Sequence, residues 1–132
     1  MTNQLSPELY RVIDANINRL KEGIRVVEDI MRYKNNNKEL SSKLKNLRHM
    51  ANIQESLELL RYRDSVNDVL RQSVKSEMNR SNLSDIIIAN FKRAQESARV
   101  LEELYKLYSE QHSERFKQIR YELYSLEKDV LL

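Results

Sequence analysis

The sequence predicts an all-α protein, a four-helix bundle made of two duplicated helical hairpins. Glycine and proline, which mark tight turns, occur only once each in 132 residues, as Gly23 and Pro7. Apolar residues recur at steps of three and four over long segments, which is the spacing of one buried helix face. Two of these segments also share polar residues at matched positions, which indicates a duplication. We expect one domain over residues 1–132.

The first hairpin is predicted over about residues 7–62. Its first helix begins after Ser6, with Pro7 at the first helical position, and ends at the asparagine run 35–37. A second helix is predicted to run to about Tyr62. The residues expected to face inward are Ile13, Ile17, Leu20, Ile24, Val27 and Met31, then Leu40, Leu44, Leu47, Met50, Ile53, Leu57 and Leu60.

A long polar connection over residues 63–82 separates the hairpins, and no apolar stripe crosses it. Disorder is one interpretation of such a segment, and a binding loop or lid is the other. The second hairpin is predicted over about residues 83–131, with Asp85 in a capping position after Asn82 and a break near 109–113. Its inward-facing residues are expected to be Ile87, Phe91, Ala94, Ala98, Leu101, Tyr105 and Tyr108, then Phe116, Ile119, Leu123, Leu126 and Val130.

The duplication is clearest when residues 13–28 are set against residues 87–102, an offset of 74. Helices that merely pack alike need similar apolar stripes, but they do not need the same asparagines, arginines and glutamates. A second match in the helices that follow pairs Arg48 with Arg120. The identical pairs in the long helices are Ala15/Ala89, Asn16/Asn90, Arg19/Arg93, Glu22/Glu96, Arg25/Arg99, Val26/Val100 and Glu28/Glu102.

The repeated polar residues admit two interpretations. If the two long helices pack antiparallel across a pseudo-twofold axis, Asn16, Arg19 and Glu22 lie near their counterparts and line one cleft. Asparagine favours this interpretation, because it has poor helix propensity and no charge to pair. Alternatively, the arginines form surface ion pairs one turn along the helix, which contribute about 0.2–0.5 kcal/mol each. Those pairs would be Arg19–Glu22, Arg25–Glu28 and Arg25–Asp29.

Composition excludes several classes of site and partner. The 23 basic and 20 acidic residues give a net charge of +3, which suits a small anionic ligand better than a nucleic acid. The absence of cysteine excludes thiolate chemistry, and two histidines argue against a zinc site. The N-terminus lacks a signal-peptide pattern and the apolar run 86–89 is too short to span a bilayer. We therefore expect a cytoplasmic protein without membrane contact.

A cluster of functional residue types, Arg-Asp-Ser-Val-Asn-Asp, opens the connection at residues 63–68. Asp64 and Asp68 supply the hard oxygen ligands that Mg²⁺ prefers. Arg63 supplies positive charge beside them. The further cations of the connection are Arg71, Lys75 and Arg80. Phosphoryl transfer to an acceptor that is already anionic needs mainly alignment and positive charge, so this inventory suits it.

Seven short motifs, in order, resemble the small helical hydroxymethylpyrimidine phosphate kinase family, which occurs alone or fused ahead of thiamine-phosphate synthase. The resemblance covers about residues 10–128 and is most specific in the two Ala-Asn-x-x-Arg-x-x-Glu helices. It implies transfer of the γ-phosphoryl group of ATP, with Mg²⁺, to 4-amino-5-hydroxymethyl-2-methylpyrimidine phosphate. The motifs are residues 13–16, 25–29, 47–49, 63–65 with Asp68, 89–96, 99–103 and 119–121.

The resemblance also implies roles for individual residues. Arg63, Arg93, Asp64 and Asp68 are expected to be catalytic, and the two aspartates to hold the metal. The substrate-binding residues are expected to be Asn16, Arg19, Arg48, Asn90, Glu96 and Arg120, with the arginines on phosphates and the asparagines orienting the ligand. A homodimer or a fusion to the synthase is compatible with this family. A non-catalytic helical adaptor is the alternative.

One departure from the family lies in the connection, where members read close to Arg-Asp-Thr-x-Gly-Asp-x-Gly. Asn67 and Leu70 stand at the two glycine positions here. Asparagine can adopt the left-handed conformation that glycine would supply, so Asn67 is a mild change. Leu70 argues against a close approach of phosphate to the backbone at that point.

Overall fold

The protein is all-α, as the spacing of apolar residues predicts. A computed structural model describes residues 6–54, 56–73, 78 and 80–132, and no β-strand occurs within those ranges. These ranges include four α-helices of 13, 22, 23 and 23 residues and a short one of six. None of these helices is both long enough and apolar enough to cross a membrane.

Helix α1 covers Pro7–Asp29 and continues into one π-helical turn, Ile30–Lys34. The hydroxyl of Ser6 accepts a hydrogen bond from the Leu9 N–H at 3.3 Å, so the predicted N-cap is confirmed. The helix ends where Asn36 takes a left-handed conformation, with φ of 50°. The asparagine run therefore terminates the helix as predicted.

The predicted second helix is two helices in the structure. Helix α2 covers Lys38–Met50, and the short helix α3 covers Ser56–Arg61. The prediction of one helix to Tyr62 with Leu57 and Leu60 inward was wrong, because these leucines are 80% and 49% exposed.

A non-helical turn after Met50 accounts for the difference. Ala51 and Ile53 are buried within this turn. Because the chain leaves the helix there, the phase of the apolar stripe shifts, and Leu59 is the α3 leucine that enters the core.

The second hairpin follows its prediction except at the break, which was expected near residues 109–113 and lies at residues 106–109. Helix α4 covers Leu83–Tyr105, and Asn82 caps it by accepting a hydrogen bond from the Asp85 N–H at 2.9 Å. Helix α5 covers Glu110–Leu131 and is capped by Ser109. Helix α1 contacts α2, α3 and α4, helix α4 contacts α5, and α5 contacts α2, so the bundle closes on itself.

The central pair, α1 and α4, packs antiparallel. Tyr10, near the start of α1, lies 6.5 Å (ring centroids) from Tyr108, just beyond the end of α4. Midway along the pair, a Cβ placed on Gly23 would lie 2.9 Å from the carbonyl oxygen of Asn90. Asn90 is thus level with Gly23, whereas Asn16 lies seven residues, roughly 10 Å, nearer the start of α1.

We expect Gly23→Ala to destabilise the protein, although alanine is the better helix former. The added methyl would meet a backbone oxygen at 2.9 Å and the Ala94 methyl at 3.3 Å, so the helices must move apart. Overpacking of this kind costs roughly 1–3 kcal/mol. Thermal unfolding measures the effect, with Ser97→Ala at the matched position of α4 as the control. A melting temperature raised by Gly23→Ala would contradict the close packing.

Candidate functional site

A cavity of about 680 Å³ lies between α1 and the segment that follows α3. Five residues predicted for the site line it together: Asn16, Arg19, Arg63, Asp64 and Asp68. These residues come from two segments about 50 positions apart in sequence. The fold therefore joins the asparagine–arginine motif of the first repeat to the acidic cluster of the connection.

An ion pair between Arg63 and Asp14 attaches the connection to α1. The Arg63 Nε donates to Asp14 Oδ2 at 2.7 Å and Nη2 donates to Oδ1 at 2.8 Å. Asp14 is 6% exposed, while the Arg63 side chain is 44% exposed. The hydrogen bond to Asp14 raises the pKa of Arg63. The two charge-assisted bonds hold the guanidinium in one place. Its remaining N–H groups are available to an anion.

Two further contacts fix the same segment against α1. The Arg11 side chain donates to the carbonyl oxygen of Asp64 at 2.9 Å. The ring of Tyr62 stacks on Tyr10, with centroids 5.3 Å apart and planes 10° from parallel. Three consecutive residues, 62 to 64, are thus each held by α1, which gives the start of the connection a defined position.

Sequence reasoning gave no role to Arg11 or Asp14. A signal for Asp14 was present, because it directly follows the core residue Ile13 at the border of the apolar stripe. A carboxylate is rarely buried unless it is paired, so its position implied a cationic partner. The partner itself lies 49 residues away and was not identifiable from spacing.

The two aspartates of the cavity accept hydrogen bonds from their own segment. Asp64 accepts from the Asn67 backbone N–H at 3.2 Å and from its side-chain amide at 2.8 Å. These bonds, the side-chain one foremost, lower the pKa of Asp64. Asp68 accepts from the Leu70 N–H at 3.0 Å.

The structure gives the two residues at the family's glycine positions different surroundings. Asn67 does not have a positive φ. Among the non-glycine residues that the structure describes, only Asn36 has one. Asn67 instead serves as the hydrogen-bond donor to Asp64. The Leu70 side chain is 82% exposed. Of the other cations of the connection, Arg71 and Arg80 are exposed and Lys75 lies outside the described residues.

Arg48 and Arg120, predicted to bind phosphate, each pair with a buried glutamate. Arg48 donates to both oxygens of Glu28 at 2.7 and 3.2 Å, which joins α2 to α1. Arg120 contacts Glu102 Oε1 through Nε at 3.0 Å and Nη2 at 2.9 Å, which joins α5 to α4. The glutamates are 2% and 4% exposed, and neither arginine lines the cavity. A phosphate-binding role for the two arginines stays a prediction.

The second repeat's residues Asn90, Arg93 and Glu96 do not line the cavity either. The expectation that both repeats line one cleft is therefore not met by this cavity. The reason is the antiparallel crossing at Gly23, which separates Asn16 and Asn90 along the helix pair. Catalytic and binding roles for the three residues stay predictions.

Surface ion pairing explains only some of the repeated charges. Arg25 pairs with Asp29 at 3.1 Å, and Arg99 pairs with Glu102 and Glu103 at 3.2 and 3.1 Å. In the part of the chain that the structure describes, no ion pair involves the repeated residues Arg19, Glu22, Arg93 and Glu96. Arg19 and Glu22 instead line the cavity. The salt-bridge interpretation therefore leaves these four residues without a structural explanation.

Comparison with known proteins gives one family and a consistent set of relatives. The ThiD2 family matches residues 11–129. Proteins named thiamine-phosphate synthase are similar: 36% identical over 129 residues in Nostoc sp. strain PCC 7120, 38% over 130 in Synechocystis sp. strain PCC 6803, and 33% over 137 in Rhodopirellula baltica. These matches cover 97%, 97% and 100% of this chain but 37%, 38% and 36% of the relatives. The chain thus spans little more than a third of the relatives' length. No solved structure matches it.

We expect Arg48→Leu to unfold the protein more readily than Arg19→Leu. Removing Arg48 leaves the carboxylate of Glu28, which is 2% exposed, without its cationic partner. Breaking a buried pair in this way costs about 3–5 kcal/mol, whereas an exposed unpaired side chain contributes within about 0.5 kcal/mol. Chemical denaturation of the two variants measures the difference. Equal stabilities would show that the Glu28–Arg48 pair does not hold α2 on α1.

We also expect Asn67→Ala to raise the pKa of Asp64 toward its ordinary value of 3.8. Because the folded-state pKa is lowered, the stabilisation is present above the ordinary value and is lost as the pH falls through the lowered one. The variant should therefore be less stable than the parent at neutral pH. At a pH below the lowered pKa, the two proteins should differ little in stability. Carboxyl carbon shifts in an NMR titration measure the pKa. Identical titration curves for the two proteins would remove Asn67 as the cause.

Proposed function

Because this chain belongs to the ThiD2 family, we propose that it is a hydroxymethylpyrimidine phosphate kinase. It transfers the γ-phosphoryl group of ATP to 4-amino-5-hydroxymethyl-2-methylpyrimidine phosphate and forms the diphosphate. The observation that carries the proposal is the cavity itself, which brings Arg19 and Arg63 together with Asp64 and Asp68. Cations and carboxylates in one cavity are the groups that phosphoryl transfer needs.

The reaction makes modest chemical demands on the protein. An oxygen of the acceptor phosphate attacks the γ-phosphorus of ATP, the bond from that phosphorus to the bridging β–γ oxygen breaks, and ADP leaves. The acceptor oxygen is already anionic at neutral pH, so no general base is needed. The protein must align two anionic molecules that repel one another and must neutralise their charge.

Arg63 is suited to that task because its position is fixed before a ligand arrives. Two of its N–H groups are bound by Asp14, and the exposed remainder of the guanidinium can donate to phosphate oxygens. Arg19 lines the same cavity from α1 and has no ion-pair partner among the described residues. Two cations on different segments can contact two phosphates, or two sides of one phosphate.

Mg²⁺ held jointly by protein and nucleotide fits the donor set. Among the residues that the structure describes, no three histidine, aspartate or glutamate side chains form a cluster, so an all-protein cage is not available. Asp64 and Asp68 nevertheless line one cavity, and Mg²⁺ commonly takes one or two carboxylates plus substrate phosphates. When bound there, the ion would supply further positive charge to the transferring group.

For the relatives, the proposal includes a fusion of a kinase domain to a synthase domain. They are named thiamine-phosphate synthase, and this chain matches a little over a third of their length. A kinase domain joined to a synthase domain would make the pyrimidine diphosphate and deliver it within one polypeptide. The cytoplasm is the expected location of such an enzyme.

We expect the protein to form ADP and the pyrimidine diphosphate when it is incubated with ATP, Mg²⁺ and the pyrimidine phosphate. Asp64→Asn should abolish turnover, at least about a hundredfold in kcat/KM, because it removes a charged ligand of the metal. Its melting temperature should fall no further than that of Asn67→Ala, since the carboxylate accepts its hydrogen bonds from Asn67 and from the Val66 backbone, within its own segment. Calorimetric titration with Mg²⁺ and ATP should show weaker metal-dependent binding.

The control for this experiment is Asp129→Asn, an exposed aspartate of α5 outside the cavity. If Asp64→Asn unfolds, the residue is structural and the metal assignment fails. If the parent protein shows no transfer, the helical adaptor becomes the better description.

A further inference from the structure

The side-chain amide of Asn16 has a fixed orientation. Its Nδ2 donates to the carbonyl oxygen of Val12 at 2.9 Å. A carbonyl can only accept, so the NH₂ end of the amide must face Val12 and the Oδ1 end must face away. Rotating the amide by half a turn would set oxygen against oxygen.

The Oδ1 of Asn16 is a buried acceptor without a donor. Asn16 is only 6% exposed, yet it lines the cavity. Within the part of the chain that the structure describes, no group donates a hydrogen bond to this oxygen. Buried polar atoms in native proteins are nearly always hydrogen-bonded, so an orphaned acceptor at a cavity wall indicates a ligand that brings a donor.

We propose that Asn16 is a specificity-determining residue that recognises the amino-substituted edge of the bound pyrimidine. Its Oδ1 accepts a hydrogen bond from the exocyclic amino group, and its second amide N–H can donate to the adjacent ring nitrogen. A pyrimidine with an oxo group at the same carbon presents an acceptor instead, and the bond to Val12 keeps Asn16 from flipping to suit it. This inference rests on the proposed kinase function and names the group that the site reads.

The adenine ring of ATP also has an exocyclic amino group beside a ring nitrogen. The distance between Asn16 and Arg19 nevertheless favours the smaller pyrimidine phosphate. In the pyrimidine phosphate, the amino group and the phosphorylated hydroxymethyl group are on neighbouring ring carbons. Asn16 and Arg19 are three residues apart on one helix, a separation of about 5–6 Å between their Cβ atoms. One side chain can thus bind the amino group while the other binds the phosphate. In ATP, the ribose separates the amino group from the phosphates.

Val12 and Ala15 are suited to contact a methylated ring. Both residues line the cavity beside Asn16, and the Val12 residue is 39% exposed. They offer apolar surface next to the polar amide. This combination is typical of sites that bind a heterocycle through one polar edge.

Asn90 provides a matched control within the same chain. It is the duplicate of Asn16, and its Nδ2 makes the same hydrogen bond, to the Ile86 carbonyl at 2.8 Å. It does not line the cavity. Any effect of the amide on its own helix is therefore shared by the two residues, whereas recognition of the ring in this cavity belongs to Asn16 alone.

The test compares the parent protein with Asn16→Leu and Asn90→Leu. Leucine has the same branched side chain of four heavy atoms and good helix propensity, and each acceptor carbonyl lies within a helix, four residues before the asparagine. Circular dichroism and melting temperature check folding, and a leucine variant that fails is replaced by the alanine variant at the same position, Asn16→Ala or Asn90→Ala. For each protein, kcat/KM is measured with the 4-amino pyrimidine phosphate and its 4-oxo analogue, and with ATP and GTP as donors.

We expect the parent to prefer the amino substrate by at least about a hundredfold. Asn16→Leu should reduce this preference to below about tenfold. Asn90→Leu should leave the ratio of the two kcat/KM values within about twofold of the parent's, whether or not it lowers both values together. The preference for ATP over GTP should not change in either variant. An unchanged preference for the amino substrate in Asn16→Leu would overturn the proposal. A change in the ATP-to-GTP preference alone would assign the amide to adenine and overturn it equally.

Failure of the proposed kinase function gives a different result, namely no transfer by the parent with either substrate. Calorimetric binding of the two pyrimidine phosphates to the same three proteins then decides the inference. Selective binding of the amino compound that Asn16→Leu abolishes would support it without the kinase. Equal binding of both compounds, or binding of neither, would overturn it.

Discussion

The close contact between α1 and α4 at Gly23 is the constraint on which the rest of the structure depends. With no side chain at that position, the two backbones approach until the Asn90 carbonyl oxygen lies where a methyl group would be. The contact sets the antiparallel register of the central pair. It also decides where each repeated polar residue lies, because a residue's distance from the crossing determines which neighbours it meets. Asn16 and Asn90 are equivalent in sequence, but only Asn16 is beside the connection that closes the cavity.

The outer helices are attached to this central pair by two equivalent buried ion pairs. Glu28 binds Arg48 and Glu102 binds Arg120, one pair in each hairpin. Such pairs contribute little net stability relative to an apolar contact, but a stranded carboxylate is costly, so they favour one arrangement of the helices over others. The duplicated arginines thus have a structural explanation that does not extend to Arg19 and Arg93.

The symmetry between the two repeats is broken at position 14. Asp14 of α1 corresponds to Ile88 of α4, which is 41% exposed. At this matched position only α1 therefore has a buried carboxylate, and that carboxylate binds Arg63 at the start of the connection. Since Arg63 brings Asp64 with it, one substitution between the repeats accounts for the assembly of the acidic and basic groups beside Asn16 and Arg19.

The sequence alone determined the fold class, the helix caps and the duplication, because helical periodicity, capping residues and repeated motifs are local properties. It also singled out Asn16, Arg19, Arg63, Asp64 and Asp68, which the cavity brings together. Tertiary structure decided what depends on contacts between distant segments: the turn that divides α2 from α3, the partners of Asp14 and Arg48, and the separation of Asn90 from the cavity. A repeat predicts equivalent residues, but the crossing of two helices determines which of them meet. The register of that crossing depends on a single glycine contact, which no pattern of residue spacing encodes.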